Sequence, residues 1–206
     1  MKSNILDTYW SIQKSSEGLY KDKGSKFISL AFPVKKEEDI KLILLQIRKE
    51  HSRARHHCYA YRLGADKINY KSNDDGEPNN TAGKPILGQI LSKDLTNILI
   101  VVVRYFGGTL LGVGGLITAY KESAANALYN ATCIECVILC TFKITFNFVQ
   151  TSEVMKILKM DNCNILQQKF DTISEIKFEI RKSISEKIER QLNQIPGISL
   201  TFISVG

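Results

Sequence analysis

Histidines, carboxylates and an arginine gather in three stretches of the 206-residue chain, and their spacing limits the chemistry open to them. In Arg55-His56-His57-Cys58-Tyr59-Ala60-Tyr61, two histidines open a β-rich run. Neighbouring side chains on a strand point to opposite faces, so this pair is not built to chelate one metal. One histidine can face a cleft while the other packs or meets solvent. Downstream, Asp74, Asp75 and Glu77 set three carboxylates within four positions, around Gly76. Hard cations take oxygen ligands of this kind, but the distal glutamate of an EF-hand loop is missing. The same carboxylates can instead pair with Lys84 or Arg104, or hold a loop by accepting backbone hydrogen bonds. Gly76, Pro78, Gly83 and Pro85 are the residues an ordered turn requires.

The third stretch, Arg104 to Tyr120, reads RYFGGTLLGVGGLITAY and carries Gly107, Gly108, Gly112, Gly114 and Gly115 within nine positions. An apolar strand, a glycine loop and a helix together share the layout of phosphate sites, where backbone amides meet an anion at a helix start. Both standard nucleotide fingerprints fail. A Walker loop needs Lys and Ser/Thr after its second glycine, whereas Val113 and Gly114 follow Gly112. No Gly-x-Gly-x-x-Gly occurs either. On their own the five glycines favour close packing of helix on strand. Arg104 follows six apolar residues and is expected to reach a strand edge and meet a carboxylate or a phosphate.

The elements that must hold these groups follow from periodicity. Residues 23–34 read as a strand ended near Pro33. Residues 37–51 read as a helix with Ile40, Ile43, Leu44 and Ile47 on one face, acids at its start and bases at its end. Residues 56–63 and 98–106 read as strands, 72–85 as a long polar loop, 85–91 as a helical piece and 116–130 as a helix. The C-terminal part reads strand 141–149, a helix capped by Ser152 with Val154, Met155 and Leu158 on one side, and strands 164–170 and 175–181. A helix opened by Ser183 comes next, with Ile184, Ile188, Leu192 and Ile195 aligned; Pro196-Gly197 stops it before a strand at 198–205. That order is β-α-β-β-α-β. The fold class expected is α+β in two domains, residues 1–137 and 138–206.

Composition narrows the function classes. With 44% hydrophobic residues the chain has enough apolar side chain for a packed core. No apolar run reaches the ~20 residues of a membrane span, and no secretory core opens the chain, so a soluble cytoplasmic protein with no membrane partner is expected. The formal charge is +7, and residues 1–137 hold 19 Lys/Arg against 14 Asp/Glu. A basic balance of this size suits RNA or ribosome contact and equally suits a solvated surface. Cys58, Cys133, Cys136, Cys140 and Cys163 are odd in number, and no second pair completes the zinc half-site spacing of Cys133-x-x-Cys136, so they are expected to be small buried thiols. No cofactor and no metal are expected.

RHHCYAY, DDGEPNNTAGKPIL, VVVRYFGG and LGVGGLITAY, with KGSKFIS before them, stand in the order and rough spacing of the YigZ/IMPACT family. The resemblance covers about residues 20–130, and the C-terminal part is similar to the second domain of bacterial members. It implies an N-terminal α+β domain similar to one shared by ribosomal proteins and elongation factor G. It also implies a ferredoxin-like second domain resembling the last domain of that factor. Eukaryotic members regulate translation by competing for the activator of an amino-acid-sensing kinase, a role that does not transfer with the fold. For bacterial members the resemblance implies RNA or ribosome binding by a polar surface. Here that surface maps to His57, Asp74, Asp75, Glu77, Thr81, Lys84, Arg104, Tyr105, Gly107, Gly108, Gly112, Gly114 and Gly115. The chain departs from the pattern at Asn79-Asn80, where small residues are usual, and at Ile117-Thr118, where many relatives carry a basic residue.

Three functions fit these residues. A translation-associated regulatory binding protein contacting RNA or the ribosome comes first. The alternative is an enzyme on a small phosphorylated or nucleotide substrate, with Asp75 or Glu77 as acid/base, Lys84 and Arg104 on the anion and His57 moving a proton. The third is a protein-interaction module with a protein partner on the same loop.

Overall fold

The structure, a computed structural model, describes residues 7–206. Residues 10–136 make one compact unit, and residues 137–206 with residues 7–9 make another. Strand β1 (Thr8–Ile12) pairs with a late strand, β7 (Cys133–Val137), in a two-stranded sheet.

The larger unit is built on five antiparallel strands: β2 (Ser16–Asp22), β3 (Ser25–Pro33), β4 (His56–Leu63), β5 (Asn69–Asn73) and β6 (Ile98–Tyr105). They lie in the order β2-β3-β6-β4-β5. Helix α1 (Glu37–Glu50) covers one face of the sheet; α2 (Gly83–Ser92) and α3 (Gly112–Tyr129) cover the other. A central strand covered on both faces must be apolar on both, which is why residues 98–103 read as one continuous run. Ile98, Ile100 and Val102 join the α2/α3 core, while Leu99, Val101 and Val103 join the core under α1. This alternation decides where every later residue of β6 points. Arg104 therefore belongs to the α2/α3 face and Tyr105 to the α1 face.

Small polar residues set α3 on its sheet. Ser29 Oγ donates to the Ser123 carbonyl at 2.6 Å, and Ser123 Oγ donates back to the Phe27 carbonyl at 3.2 Å. On the other face, α1 carries Glu37, Glu38 and Asp39 in its first turn and Arg48 and Lys49 in its last, complementing its dipole.

The second unit runs β8 (Leu139–Asn147), a 3₁₀ turn (Phe148–Gln150), α4 (Thr151–Met160), β9 (Asn164–Lys169), β10 (Ile173–Arg181), α5 (Lys182–Leu192) and β11 (Ser199–Val205). Its four strands are antiparallel in the order β11-β8-β10-β9. Val154 and Leu158 of α4 and Ile188 and Leu192 of α5 close over Phe142, Ile144, Phe146, Ile176 and Phe178.

Several local expectations change. Helix α3 begins at Gly112, a full turn before residue 116, so three of the five glycines stand in its first turn. Ser152 and Ser183 lie inside α4 and α5 and cap neither; the preceding residues are Gln150 and Arg181, without side-chain cap bonds. The polar segment from residue 72 still carries strand at Ser72 and Asn73. Strands β1, β2 and β7 form where the sequence suggested no element. The cysteines are all free, but Cys133 is exposed and Cys136 and Cys163 are half-buried, so only Cys58 and Cys140 are buried thiols. Burial pushes the Cys163 thiol up to about 11.

Candidate functional site

The acidic loop is the joint between β5 and α2, and each of its carboxylates has a separate task. Asp75 and Gly76 sit at positive φ, 43° and 87°, between the Asp74 carbonyl and the Glu77 amide that bonds to it at 2.9 Å. Two central residues at positive φ make a turn of the tight hairpin kind. Asp74 then turns towards α2. Its Oδ1 accepts from the amides of Ala82 (3.0 Å) and Gly83 (2.8 Å), and its Oδ2 accepts from Asn80 (2.9 Å). Those amides have no acceptor within the helix, so Asp74 does the work of a helix cap from eight residues upstream. Thr81, buried, donates its hydroxyl to the Pro78 carbonyl at 2.7 Å and tightens the same approach.

Asp75 turns towards α1. Arg48 Nη2 donates to its Oδ1 at 2.6 Å, and the His57 amide donates to its Oδ2 at 2.6 Å. Burial pushes the Asp75 carboxyl up, yet the Arg48 hydrogen bond and the His57 amide outweigh it and hold the group below the usual carboxylate range. His57 is buried on this α1 side; neither ring nitrogen finds a hydrogen-bond partner among the described residues, and Nδ1 lies 3.8 Å from Asp75 Oδ2. Burial, with the Arg48 charge, lowers its pKa and keeps the ring neutral. Tyr105, on the same face, is hydrogen-bonded through its hydroxyl to His51 Nδ1 at 2.9 Å.

Glu77 turns into the α2/α3 face and meets Arg104. Arg104 Nη1 donates to Glu77 Oε1 at 2.6 Å, and the Tyr120 hydroxyl of α3 donates to the same oxygen at 2.7 Å. The pair is enclosed, with side-chain exposures of 7% for Arg104 and 3% for Glu77. Two aromatic faces flank the guanidinium: its central carbon lies 5.5 Å from the Phe27 ring centre and 5.7 Å from that of Phe106. Burial drives both the Tyr120 phenol and the neighbouring Cys58 thiol far up, so each stays protonated. Arg104 does not reach a sheet edge as expected: it is the penultimate residue of a central strand, and a carboxylate meets it there.

A pocket of about 430 Å³ opens on this pair. Arg55, His56, Glu77 and Arg104 supply its polar lining; Pro78, Phe106, Leu110, Leu111, Val113 and Leu116 supply the apolar walls, with Gly112 between them. His56 Nδ1 donates to the Asp75 carbonyl at 2.8 Å, so that nitrogen carries a proton and Nε2 stands outside the bond.

The expected site residues therefore divide. Glu77, Arg104 and Gly112 line the pocket. His57 and Tyr105 do not: strand alternation puts them on the α1 face, and His56 takes the place expected for His57. Asp74, Asp75 and Thr81 shape the loop from behind, and Lys84 is exposed on α2, away from the lining. Gly107 packs against the β2–β3 turn, where an added Cβ would fall 1.9 Å from the Gly24 carbonyl carbon. Gly108 stands at φ 86° in the open, and Gly114 and Gly115 stand in the first turn of α3. Arg48, Arg55, Phe106 and Tyr120 were not singled out by the sequence, and the choice between His56 and His57 was left open. Two signals could have found His56 and Tyr120: the parity of β4, which places His56 with Cys58 and Ala60, and the helical spacing of Leu116 and Tyr120. Among the described residues no group of three or more His, Cys, Asp or Glu could hold a metal ion, and no helix is long and apolar enough to cross a membrane.

The part of the chain that holds the buried Glu–Arg pair and the glycine-rich helix start is of the Impact N-terminal domain class, whose family model matches residues 23–128. An IMPACT family member of Haemophilus influenzae is 34% identical over 174 residues, 84% of each chain. IMPACT family member YigZ of Escherichia coli is 44% identical over 112 residues, 53% of this chain and 55% of that one. IMPACT family member YvyE of Bacillus subtilis is 37% identical over 131 residues, and the match spans 60% of its length. A crystal structure of a hypothetical protein superposes with a TM-score of 0.75 at 27% identity, covering 97% of this chain and 99% of the other. The chain belongs to the YigZ/IMPACT family, as its four linked motifs indicated.

Proposed function

We propose that the protein is a translation-associated regulatory binding protein that contacts RNA or the ribosome through the pocket face of residues 10–136. The observation that carries this reading is the fate of the acidic loop. All three carboxylates are engaged by protein donors, Asp74 at α2, Asp75 at Arg48 and His57, and Glu77 at Arg104 and Tyr120. Besides His56, what the pocket rim offers is cationic or proton-donating: Arg55, and the start of α3, which no side chain caps. Such a rim binds phosphates with an affinity that falls steeply as salt rises. We also infer that the α+β unit is of the type shared with ribosomal proteins and elongation factor G, and that residues 138–206 form a ferredoxin-like domain; the strand order β11-β8-β10-β9 supports the latter.

Co-sedimentation with purified ribosomes and with ribosomal RNA tests it. Binding is expected at low salt and loss is expected as salt is raised. Protein that stays in the supernatant with both at low salt overturns the reading.

One observation favours the enzyme as second reading. His56 lines the pocket with its Nε2 free of the anchoring hydrogen bond, within the same lining as Arg55, Glu77 and Arg104. A base anchored at one ring nitrogen beside cationic groups is an arrangement for moving a proton on an anionic substrate. Turnover of a small phosphorylated compound by wild type, lost in His56→Gln, would move the assignment to an enzyme.

A further inference from the structure

The glycines at the start of α3 do not all serve packing. Gly107 does, and Gly115 lies 2.9 Å, from its would-be Cβ, to Leu111 Cβ. Around Gly112 and Gly114, by contrast, an added Cβ would meet nothing within 4 Å. Gly112 has a conformational reason, its φ of 71°. Gly114 has neither that reason nor a close neighbour, and in the first turn of a helix glycine is less favourable than alanine. A glycine that destabilises its own helix and faces open space leaves the backbone bare to whatever approaches.

The surroundings say what approaches. Helix α3 runs for 18 residues, has no side-chain cap bond and no acidic residue in its first turn. No side chain caps its leading amides, and no acid of its own first turn offsets the positive end of its dipole. Within the same pocket Arg104 is only 7% exposed, and its Nε has no hydrogen-bond partner among the described residues. A buried guanidinium N–H lacking an acceptor beside a cavity calls for a ligand oxygen or ring nitrogen. Arg55 adds a further cation on the rim. The walls ask for something flat and apolar as well. Phe106, 52% exposed, Leu110, 82% exposed, and Val113, 60% exposed, leave apolar surface beside those donors. Few ligands combine a flat face, ring acceptors and an anion; a nucleotide does.

We propose that this pocket takes one unpaired nucleotide of a single-stranded RNA, its base against Phe106 and Arg104 and its phosphate at the α3 start near Gly112–Gly114 and Arg55. The proposal rests on the RNA reading above and names the part of RNA recognised. Recognition by stacking on an aromatic, with phosphate held by amides and one arginine, tolerates any base and rejects paired strands.

Fluorescence anisotropy with labelled oligouridylate and with an abasic strand of equal length tests it. Wild type should bind the base-bearing strand more tightly, by roughly five- to a hundred-fold, the range for stacking one base on an aromatic side chain. Phe106→Ala should erase that preference. Gly114→Asp, which adds a carboxylate at the helix start, should weaken both strands. Both positions are exposed, and circular dichroism with thermal melting confirms that the variants fold. Equal affinity for the two strands, unchanged in both variants, would overturn the pocket while leaving RNA binding by other phosphate contacts. Failure of every strand to bind at low salt would overturn the RNA reading as well. Variants that keep full RNA affinity yet lose a protein captured by wild type would overturn the proposal in favour of peptide docking.

Discussion

Glu77→Gln isolates what the enclosed carboxylate contributes, because it removes a charge and little else. Glutamine keeps an oxygen for Tyr120 and for Arg104 Nη1, which now stand 2.7 and 2.6 Å from Glu77 Oε1. What is lost is the counter-charge of a guanidinium that is 7% exposed. Breaking a buried pair by removing one partner costs about 3–5 kcal/mol, since an uncompensated charge stays behind. The rings of Phe27 and Phe106 flank the cation with or without Glu77, so they leave that figure unchanged. A loss of about 3–5 kcal/mol is therefore expected. Arg104→Met should lose a similar amount, as the carboxylate would keep Tyr120 alone. In the double variant neither charge is left, so the losses should fall short of additivity by at least about 2 kcal/mol. Trp10 provides the assay: it is the chain's one tryptophan, and it bridges to Leu95 within the unit that holds the pair. Urea titration followed by its fluorescence reports that unit's unfolding free energy. Single variants costing less than about 1 kcal/mol, or losses that simply add, would refute the enclosed pair as a structural keystone.

The remaining predictions concern the same loop and helix. Asp74→Ala removes the acceptor for the Ala82 and Gly83 amides and should cost about 1–2 kcal/mol in the same titration. Asp75 has a folded pKa below its unfolded value of about 3.9. Its stabilisation is thus full above that pH and is lost as pH falls through the folded pKa. Asp75→Asn should be less stable than wild type at neutral pH, and the gap should close in acid below about pH 3–4. His57 is shifted down as well, so the unfolded chain takes up a proton that the folded chain refuses once pH drops below about 6.5. Wild type should lose stability from there downward, and His57→Phe should flatten that part of the profile. Gly114→Ala should raise the melting temperature, worth about 0.5–1 kcal/mol, whereas Gly107→Ala should lower it, because its Cβ cannot fit beside Gly24.

How far the sequence could be read depended on whether a residue's role was set locally. The run 98–103 gave β6 because two covered faces demand apolar residues at every position, and α1 followed from its helical spacing and charge order. Strand β2 escaped because SEGLYKD, at the sheet edge, is mostly solvated and carries little periodic signal. The start of α3 escaped for a different reason. Glycine is a poor helix former, and the first turn at Gly112 is held by the packing of Leu116 and Tyr120 further on, not by propensity. The site shows the same division. That Arg104 needed an anion was legible from its place after an apolar run; that Glu77 would supply it was not. Asp74, Asp75 and Glu77 are chemically alike and close in sequence. Only the turn at Asp75-Gly76, with φ of 43° and 87°, sends them to α2, to α1 and to the pocket respectively. The choice between His56 and His57 turned on the parity of β4. Cys58 and Ala60 fill one face and Tyr59 and Tyr61 the other, and either set reads as core. The register His56↔Arg104 across β4 and β6 decides it. A carboxylate loop that looks from sequence like catalytic equipment is thus a bracket for three elements, and the pocket beside it is lined by Arg104, whose Nε has no hydrogen-bond partner among the described residues, by His56 and by the start of an uncapped helix. On the RNA reading proposed above, the arginine and the uncapped helix would receive an anion, which would give Gly114 a use that packing does not.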